Sequence, residues 1–345
     1  MKLGKKLSSI RDVAKAAGVS PMTVSRVLNS PELVAEPTRE RVQGVIRDLD
    51  YLVNELARPL GKPRRPVISI LGLNLATTPY SVSITFAVEQ VAREHGWQTY
   101  IVNTFSNNPP ANVLDSLLSL RPEGVVFATM GHRTVNVHER LIRAGVVLAN
   151  CQTTQKGVAC YVPDDEQGQY EGMHKLLEKG YRRPLCIHLP EGSAATSLRR
   201  KGMQRAFKEF NIAEKDQAHV VLIHKPDHLQ SVQFRDEADY LQTVSFLNEA
   251  LERRPRPDCV ICGNDRVALV AYQHLLSRGF RIPNDIGILG FDDMVGVAGL
   301  FLPPLSTIRL PHEEIGRAAA LHIILGRKRS RIYRIPCPFV GRASF

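Results

Sequence analysis

No apolar run in the 345-residue sequence is long enough to cross a bilayer, and the basic stretch at residues 1–9 is followed by no apolar core of the kind a secretion signal needs. Both absences predict a cytoplasmic protein with no membrane partner. Cysteine is sparse. The six thiols, at 151, 160, 186, 259, 262 and 337, lie mostly in apolar runs and read as reduced, buried side chains. Cys259 and Cys262 have the spacing of half a zinc site. The run Cys259-Val-Ile-Cys262 reads as strand, however, where residues three apart face opposite ways, and no second pair or nearby His completes a tetrahedron. No metal and no cofactor is expected. Nor is there a glycine-rich turn after Leu71-Gly72-Leu73, so neither a dinucleotide fingerprint nor a P-loop is present, which weighs against an oxidoreductase or a nucleotide hydrolase. His132, His188 and Cys151 could serve as catalysts, but none shows a motif-level nucleophile–base pairing, so the chain is predicted not to be an enzyme.

What is present begins with charge. The formal net charge is +11, of which +6 falls in residues 1–65, a concentration suited to a polyanion. A hydrophobic content of 43% with 23% charged residues describes an ordinary globular chain, long enough for a small head and two domains of usual size.

The head is organised around residues 10–29. Ile10, Val13, Ala14 and Ala17 recur at helical spacing, and Gly18 supplies a left-handed stop. Ser20 then caps a second helix with Pro21 at its first position and Val24, Val27 and Leu28 as its buried stripe. Two short helices on a Gly turn form a helix-turn-helix, whose second helix enters the major groove with Pro21, Met22, Ser25 and Arg26 on the reading face. Arg26 can give two hydrogen bonds to a guanine edge. A third helix is predicted from a Thr38 cap to about Leu49, with Val42, Val45, Ile46 and Leu49 turned inward and Arg39 and Arg41 placed near phosphate.

These residues carry a resemblance. Asp12-Val-Ala-x-x-Ala-Gly-Val-Ser-x-x-Thr-Val-Ser-Arg-Val-Leu-Asn29, with Thr38-Arg-Glu-Arg-Val42 and Tyr51, resembles the head of the lactose-repressor/galactose-repressor family of bacterial transcription regulators. The resemblance implies double-stranded operator DNA as partner and adds Ser20, Thr23, Asn29 and Arg39 to the DNA-binding set. It also implies a hinge in the linker 54–65, where Asn54 could cap a short helix, and where Ala57, Arg58 and Leu60 match a segment that folds on DNA and wedges a leucine into the minor groove. Pro59 departs from that pattern and should shorten or bend the helix.

From Val67 onward, strand-like runs alternate with amphipathic helices, then repeat, and finally cross back. The fold class is therefore an all-α helix-turn-helix head on an α/β core of two doubly wound parallel-sheet lobes. The expected division is 1–53 for the head, 54–65 for the linker and 66–345 for the core, with one lobe at 66–163 and 292–325 and the other at 164–291 and 326–345. This core resembles the periplasmic-binding-protein-like, sugar-binding core of the same family. By that likeness Arg199, in Arg-x-x-Gly, Asn264 before Asp265, Asp292 and Asn150 hold the effector, although Asn150 stands where many members carry an acid. Asn150, Asn264 and Asp292 each follow a predicted strand, where open α/β sheets bind ligands, and Tyr80 offers a ring face for a sugar. Asp265 could equally be a helix cap.

Ala76-Thr-Thr-Pro-Tyr-Ser81, Tyr161-Val-Pro-Asp-Asp165, Ile261-Cys-Gly-Asn-Asp265 and Arg334-Ile-Pro-Cys-Pro338 are similar to repressors of sucrose-utilisation operons. Sucrose, or a fructose-containing relative, is the effector that likeness implies. The family's leucine-heptad tail is absent after Phe345, which predicts a homodimer. A corepressor-type or activating regulator, or a sugar-binding protein that does not bind DNA, are the alternatives.

Overall fold

The computed structural model describes residues 9–49, 51, 65–75, 82–106, 108–222 and 232–345, without side-chain placement at Asn29 and 232–239. The hinge residues Asn54, Ala57, Arg58, Pro59 and Leu60, and Tyr80, lie outside the described residues. Residues 1–64 and 65–345 form two separate units.

In the first unit, α1 (Ile10–Ala17) starts at a reciprocal cap: the Asp12 amide donates to Ser9 Oγ at 3.3 Å, and the Ser9 amide donates to the Asp12 carboxylate at 2.8 Å. It ends at Gly18, whose φ of 64° closes the last turn. In α2 (Pro21–Asn29) Ser20 Oγ accepts from the Thr23 amide at 3.1 Å, as the sequence predicts. The third helix differs from expectation. α3 (Glu36–Asp48) begins two residues before Thr38, with Ala35 at its cap and Pro37 in its first turn. Proline's fixed φ favours that first turn and its missing N–H costs nothing there, so it starts the helix without a side-chain cap. Val13, Ala14, Ala17, Val24, Val27 and Val42 make the core, with Val45 and Ile46 packed against it, whereas Leu49 is exposed at the fraying end. Met22 and Arg26 are exposed, and Arg39 pairs with Glu36 on its own helix at 3.2 Å.

The second unit holds two parallel sheets. In the N-lobe, strands β1 (Val67–Leu73), β2 (Gln98–Thr104), β3 (Gly124–Thr134), β4 (Val146–Gln152) and β5 (Ala159–Pro163) alternate with helices α4 (Val82–Glu94), α5 (Ala111–Ser119) and α6 (Glu139–Arg143), except that β4 runs directly to β5. In the C-lobe, α7 (Asp165–Glu178), β6 (Pro184–His188), α8 (Ala194–Glu209), β7 (Ala218–Val221), α9 (Val232–Glu252), β8 (Cys259–Cys262), α10 (Asp265–Ser277) and β9 (Gly287–Leu289) follow. The chain ends with β10 (Thr307–Ile308), α11 (His312–Ile324), β11 (Ile332–Ile335) and β12 (Phe339–Val340). The N-lobe order is β11-β5-β4-β3-β1-β2 and the C-lobe order β7-β6-β8-β9, all parallel, with β10 and β12 as a small antiparallel pair.

Two readings of the sequence change here. Strand β5 belongs to no helix–strand alternation, since it follows β4 without a helix, and so escapes the pattern. The lobes also exchange chain differently from the expected division. β11 pairs in register with β5, which puts 332–335 in the N-lobe sheet, and 292–310 stays with the C-lobe, where Leu305 and Ile308 are fully buried. Periodicity marks a segment as strand but carries no information about its distant partner. The backbone therefore passes between lobes three times, at 163–165, 310–312 and 335–339. Cys259 and Cys262 point into different cores on the two faces of their sheet.

His188, at the end of β6, is buried with its Nε2 2.9 Å from Nδ1 of a stacked His219. Burial, with the His219 ring and Arg200 nearby, lowers its pKa from the ordinary 6.5 to about 4. The unfolded chain takes up this proton near 6.5 and the folded chain only near 4. Stability from this group is thus complete above about pH 6.5 and falls as the pH drops toward 4, by at most about 3 kcal/mol. Urea unfolding at pH 7 and pH 4.5 should show the loss, and His188→Gln should flatten it; an equal slope in the variant would place the acid sensitivity elsewhere.

Candidate functional site

Between the two lobes a cavity of about 160 Å³ is lined by Asn150, Arg199, Asn264 and Asp292, together with His132 and His312. A second cavity of about 300 Å³ shares Asp292, Leu310 and His312 with it and continues past Met294 and Arg309. Four of the five predicted effector residues thus meet in one place.

Arg199 is its centre. It projects from α8 and is 6% exposed. Its Nε–H donates to Asp165 Oδ1 at 2.7 Å, Nη1 donates to the Gly263 carbonyl at 2.7 Å, and Nη2 lies 4.0 Å from Asp292 Oδ1. Its guanidinium carbon sits 3.4 Å from the Phe291 ring centroid, so the ring face holds the plane from one side. Burial alone would push the Asp165 carboxyl up, but Arg199 and the hydrogen bond from His132 Nδ1, at 2.7 Å, outweigh it and hold the group below the usual carboxylate range. A surface salt bridge is excluded, since both partners are buried.

Gly202, in the same Arg-x-x-Gly run, explains how Arg199 gets there. A Cβ at this position would collide with the Glu166 carbonyl oxygen of α7 and approach the Tyr170 nitrogen to 3.0 Å. Only glycine lets α8 lie so close to α7, and one turn earlier that approach brings Arg199 to Asp165 at the start of α7.

Asp292 follows β9 in a left-handed conformation, φ 129°, which aims its carboxyl at the cleft. Burial pushes that carboxyl well above the usual range, against the pull of Arg199, so the site gains from a ligand that donates to it. Asn264 has a double role. Its Oδ1 caps α10 by accepting from the Val267 amide at 2.9 Å, while the residue lines the cavity. The cap is therefore Asn264 and not Asp265. Asp265 is buried and accepts from Thr307 Oγ1–H at 2.7 Å and the Met294 amide at 2.8 Å, fastening the loop that follows Asp292. Asp293 accepts from Arg342 at 2.6 Å, a supporting contact.

Asn150 sits on β4 with φ 60°, beside the point where the β3–β4 register shifts. Its Nδ2 donates to the Thr129 and Met130 carbonyls at 3.0 and 3.1 Å. A carboxylate could not donate to two carbonyls, which accounts for the amide at a position where an acid is common in the resembling family.

Sequence reasoning did not place His132 or His312 in the cavity lining, nor Asp165 behind it against Arg199. Asp165 is 33 residues from His132 and 34 from Arg199, and no local pattern joins them. The other proposed catalysts do not gather here: His188 stacks on His219 in the C-lobe, and Cys151 is in the N-lobe core with its thiol pushed up by burial to about 12.

Residues 67–343 match the periplasmic binding proteins and sugar binding domain of the LacI family, and residues 9–54 match the bacterial regulatory proteins of the lacI family. This chain belongs to the LacI family. It is a sugar-responsive, DNA-binding regulator. Among curated relatives, the sucrose operon repressors of Escherichia coli and Shigella flexneri are each 44% identical over 98% of this chain and 100% of their own length. Among solved structures, a putative LacI-family regulator from Rhizobium etli is 28% identical with a TM-score of 0.69, over 81% of this chain and 98% of that one. The lac repressor dimer bound to operator and an anti-inducer superposes with a TM-score of 0.75 at 22% identity, over 98% of this chain and 99% of that one, a likeness of fold.

Proposed function

We propose that this LacI-family chain represses a carbohydrate-utilisation operon as a homodimer on a near-palindromic operator, and that sucrose or a fructose-containing sugar in the cleft releases it. The single observation carrying the sugar assignment is 44% identity to sucrose operon repressors along nearly the whole chain. The cleft chemistry agrees with it. Planar Arg, Asn and Asp side chains around an enclosed space suit vicinal hydroxyls. Three passages of backbone between lobes form a hinge, and a ligand moves it by binding one lobe arrangement more tightly than the other. The exposed Phe86, Ile101 and Phe105 of the N-lobe support a face covered by a second copy. The cleft is read as a binding site without catalysis, in a protein working where its DNA is; no described helix is long and apolar enough to cross a membrane.

The test is binding of the purified protein to DNA upstream of its own gene cluster, titrated with salt and with sucrose. A salt-sensitive preference for a near-symmetric site, weakened by sucrose, is expected. Tightening by sucrose would reverse the sign of regulation, and indifference would remove the effector.

In the head, Ser20, Pro21, Met22, Thr23, Ser25, Arg26 and Asn29 are assigned to the groove, with Arg39 near phosphate and Ala57, Arg58 and Leu60 in the hinge. Arg26→Ala should weaken binding to one operator by roughly 1–3 kcal/mol and relax base preference at a single position. A selection from randomised half-sites checks this; an unchanged preference would take base readout away from Arg26.

A further inference from the structure

Among the buried polar atoms of the cleft lining, His132 Nε2 and Asn150 Oδ1 are without a hydrogen-bond partner in the folded chain. The two residues are 4% and 2% exposed, and both line the 160 Å³ cavity. What each atom lacks follows from what its neighbours on the same side chain already do. Asn150 spends both Nδ2 hydrogens on the Thr129 and Met130 carbonyls, and a flipped amide would set oxygen against oxygen, so Oδ1 is fixed as an acceptor. His132 places Nδ1 2.7 Å from a carboxylate oxygen of Asp165, which Arg199 holds ionised and which can only accept. The hydrogen of that bond is therefore on Nδ1, and Nε2 is the ring nitrogen left for a ligand. Asn150 is tied to Met130, two residues from His132, so the two atoms belong to one wall. Buried polar atoms are normally satisfied, and two on one wall of a cavity mark a place built for a hydrogen-bonding ligand.

We propose that His132 is a specificity-determining residue of the effector site: its Nε2 hydrogen-bonds one hydroxyl of the ligand while Asn150 Oδ1 accepts from another. The proposal rests on the reading of this cleft as a sugar site. It narrows the ligand to a polyol that presents two hydroxyls to this wall, one of them donating to Asn150 Oδ1. A carboxylate or phosphate at the same place brings only lone pairs and leaves Asn150 Oδ1 unpaired. Asp165 is a positioning residue, holding the ring through Nδ1.

His132→Asn separates the two roles of the ring, because its amide nitrogen can stand where Nδ1 stands and still donate to Asp165, while nothing replaces Nε2. The full-length protein is screened by calorimetry against sucrose, D-fructose, D-glucose, trehalose and D-mannitol, and the tightest binder is then tested as its set of monodeoxy analogues. Removal of one particular hydroxyl should weaken binding to the unaltered protein at least tenfold. In His132→Asn the parent sugar should bind at least tenfold more weakly, and loss of that same hydroxyl should change nothing further. The proposal is overturned if every analogue loses the same factor against both proteins, which is the result for a water-filled or merely structural His132, or if none of the five sugars binds. Should His132→Asn fail to fold, the imidazole nitrogen resonances of the unaltered protein decide: the Nε2 signal is expected to move on saturation with the tightest binder, and an unmoved signal overturns the proposal. Failure of sucrose alone, with another of the five binding, removes the sucrose assignment and leaves this test intact.

Discussion

Arg199→Met should destabilise the core unit by about 3–5 kcal/mol and leave the operator complex insensitive to sugar. Methionine nearly fills the space but removes the positive charge that Asp165 and Asp292 share, at 2.7 and 4.0 Å. A buried carboxylate left without its cation is penalised more heavily than the pair was ever worth, so the loss comes from the partner that stays behind. The expected sign of the pH dependence also inverts. In the unaltered protein Asp165 is held below its unfolded value, so its contribution is present above the ordinary carboxylate range and lost as the pH falls through the lowered folded value. Without Arg199, burial dominates and the variant should gain relative stability on acidification. Urea unfolding at several pH values, alongside operator release by sugar, measures both effects; a variant that is induced normally would move the effector site away from this cleft.

Gly202→Val should destabilise the C-lobe by about 3 kcal/mol or more. The group its side chain meets first is the Glu166 carbonyl, part of a helix backbone that cannot swing aside, and so the helices α7 and α8 must separate. Separation draws Arg199 away from Asp165. The variant should therefore lose sugar response beyond what its lower stability explains, while Gly202→Ala shows a smaller loss of the same kind. Thermal unfolding with and without ligand distinguishes the cases, since a bound sugar raises the midpoint only if the site is intact. A Gly202→Val protein with unchanged midpoint would mean that the close approach of the two helices is not required.

The two predictions also show where sequence reading stops. The Arg-x-x-Gly spacing is visible as a pattern, but its physical content is a contact with α7. The same holds for Asp165, which appears in sequence only as an acid at the beginning of a helix. In the head almost everything was local: Ser20, Pro21 and Gly18 act within four residues of themselves, and the structure has them where capping rules place them. The misplaced start of α3 arose inside the same short range, from preferring a Thr cap to a Pro first turn.

Local signals thus sufficed for the class of fold, the helix-turn-helix and the placing of Asn150, Asn264 and Asp292 near strand ends, because backbone propensity, capping and apolar period all act over a few residues, whereas Arg199 was legible only through the family resemblance of its Arg-x-x-Gly run. Only the tertiary structure decided the pairing of β11 with β5, the three passages between lobes, and the burial of Asp165 between His132 and Arg199. Those depend on which distant segments close together, and a chain's periodicity is the same whichever partner its strands and charges finally meet.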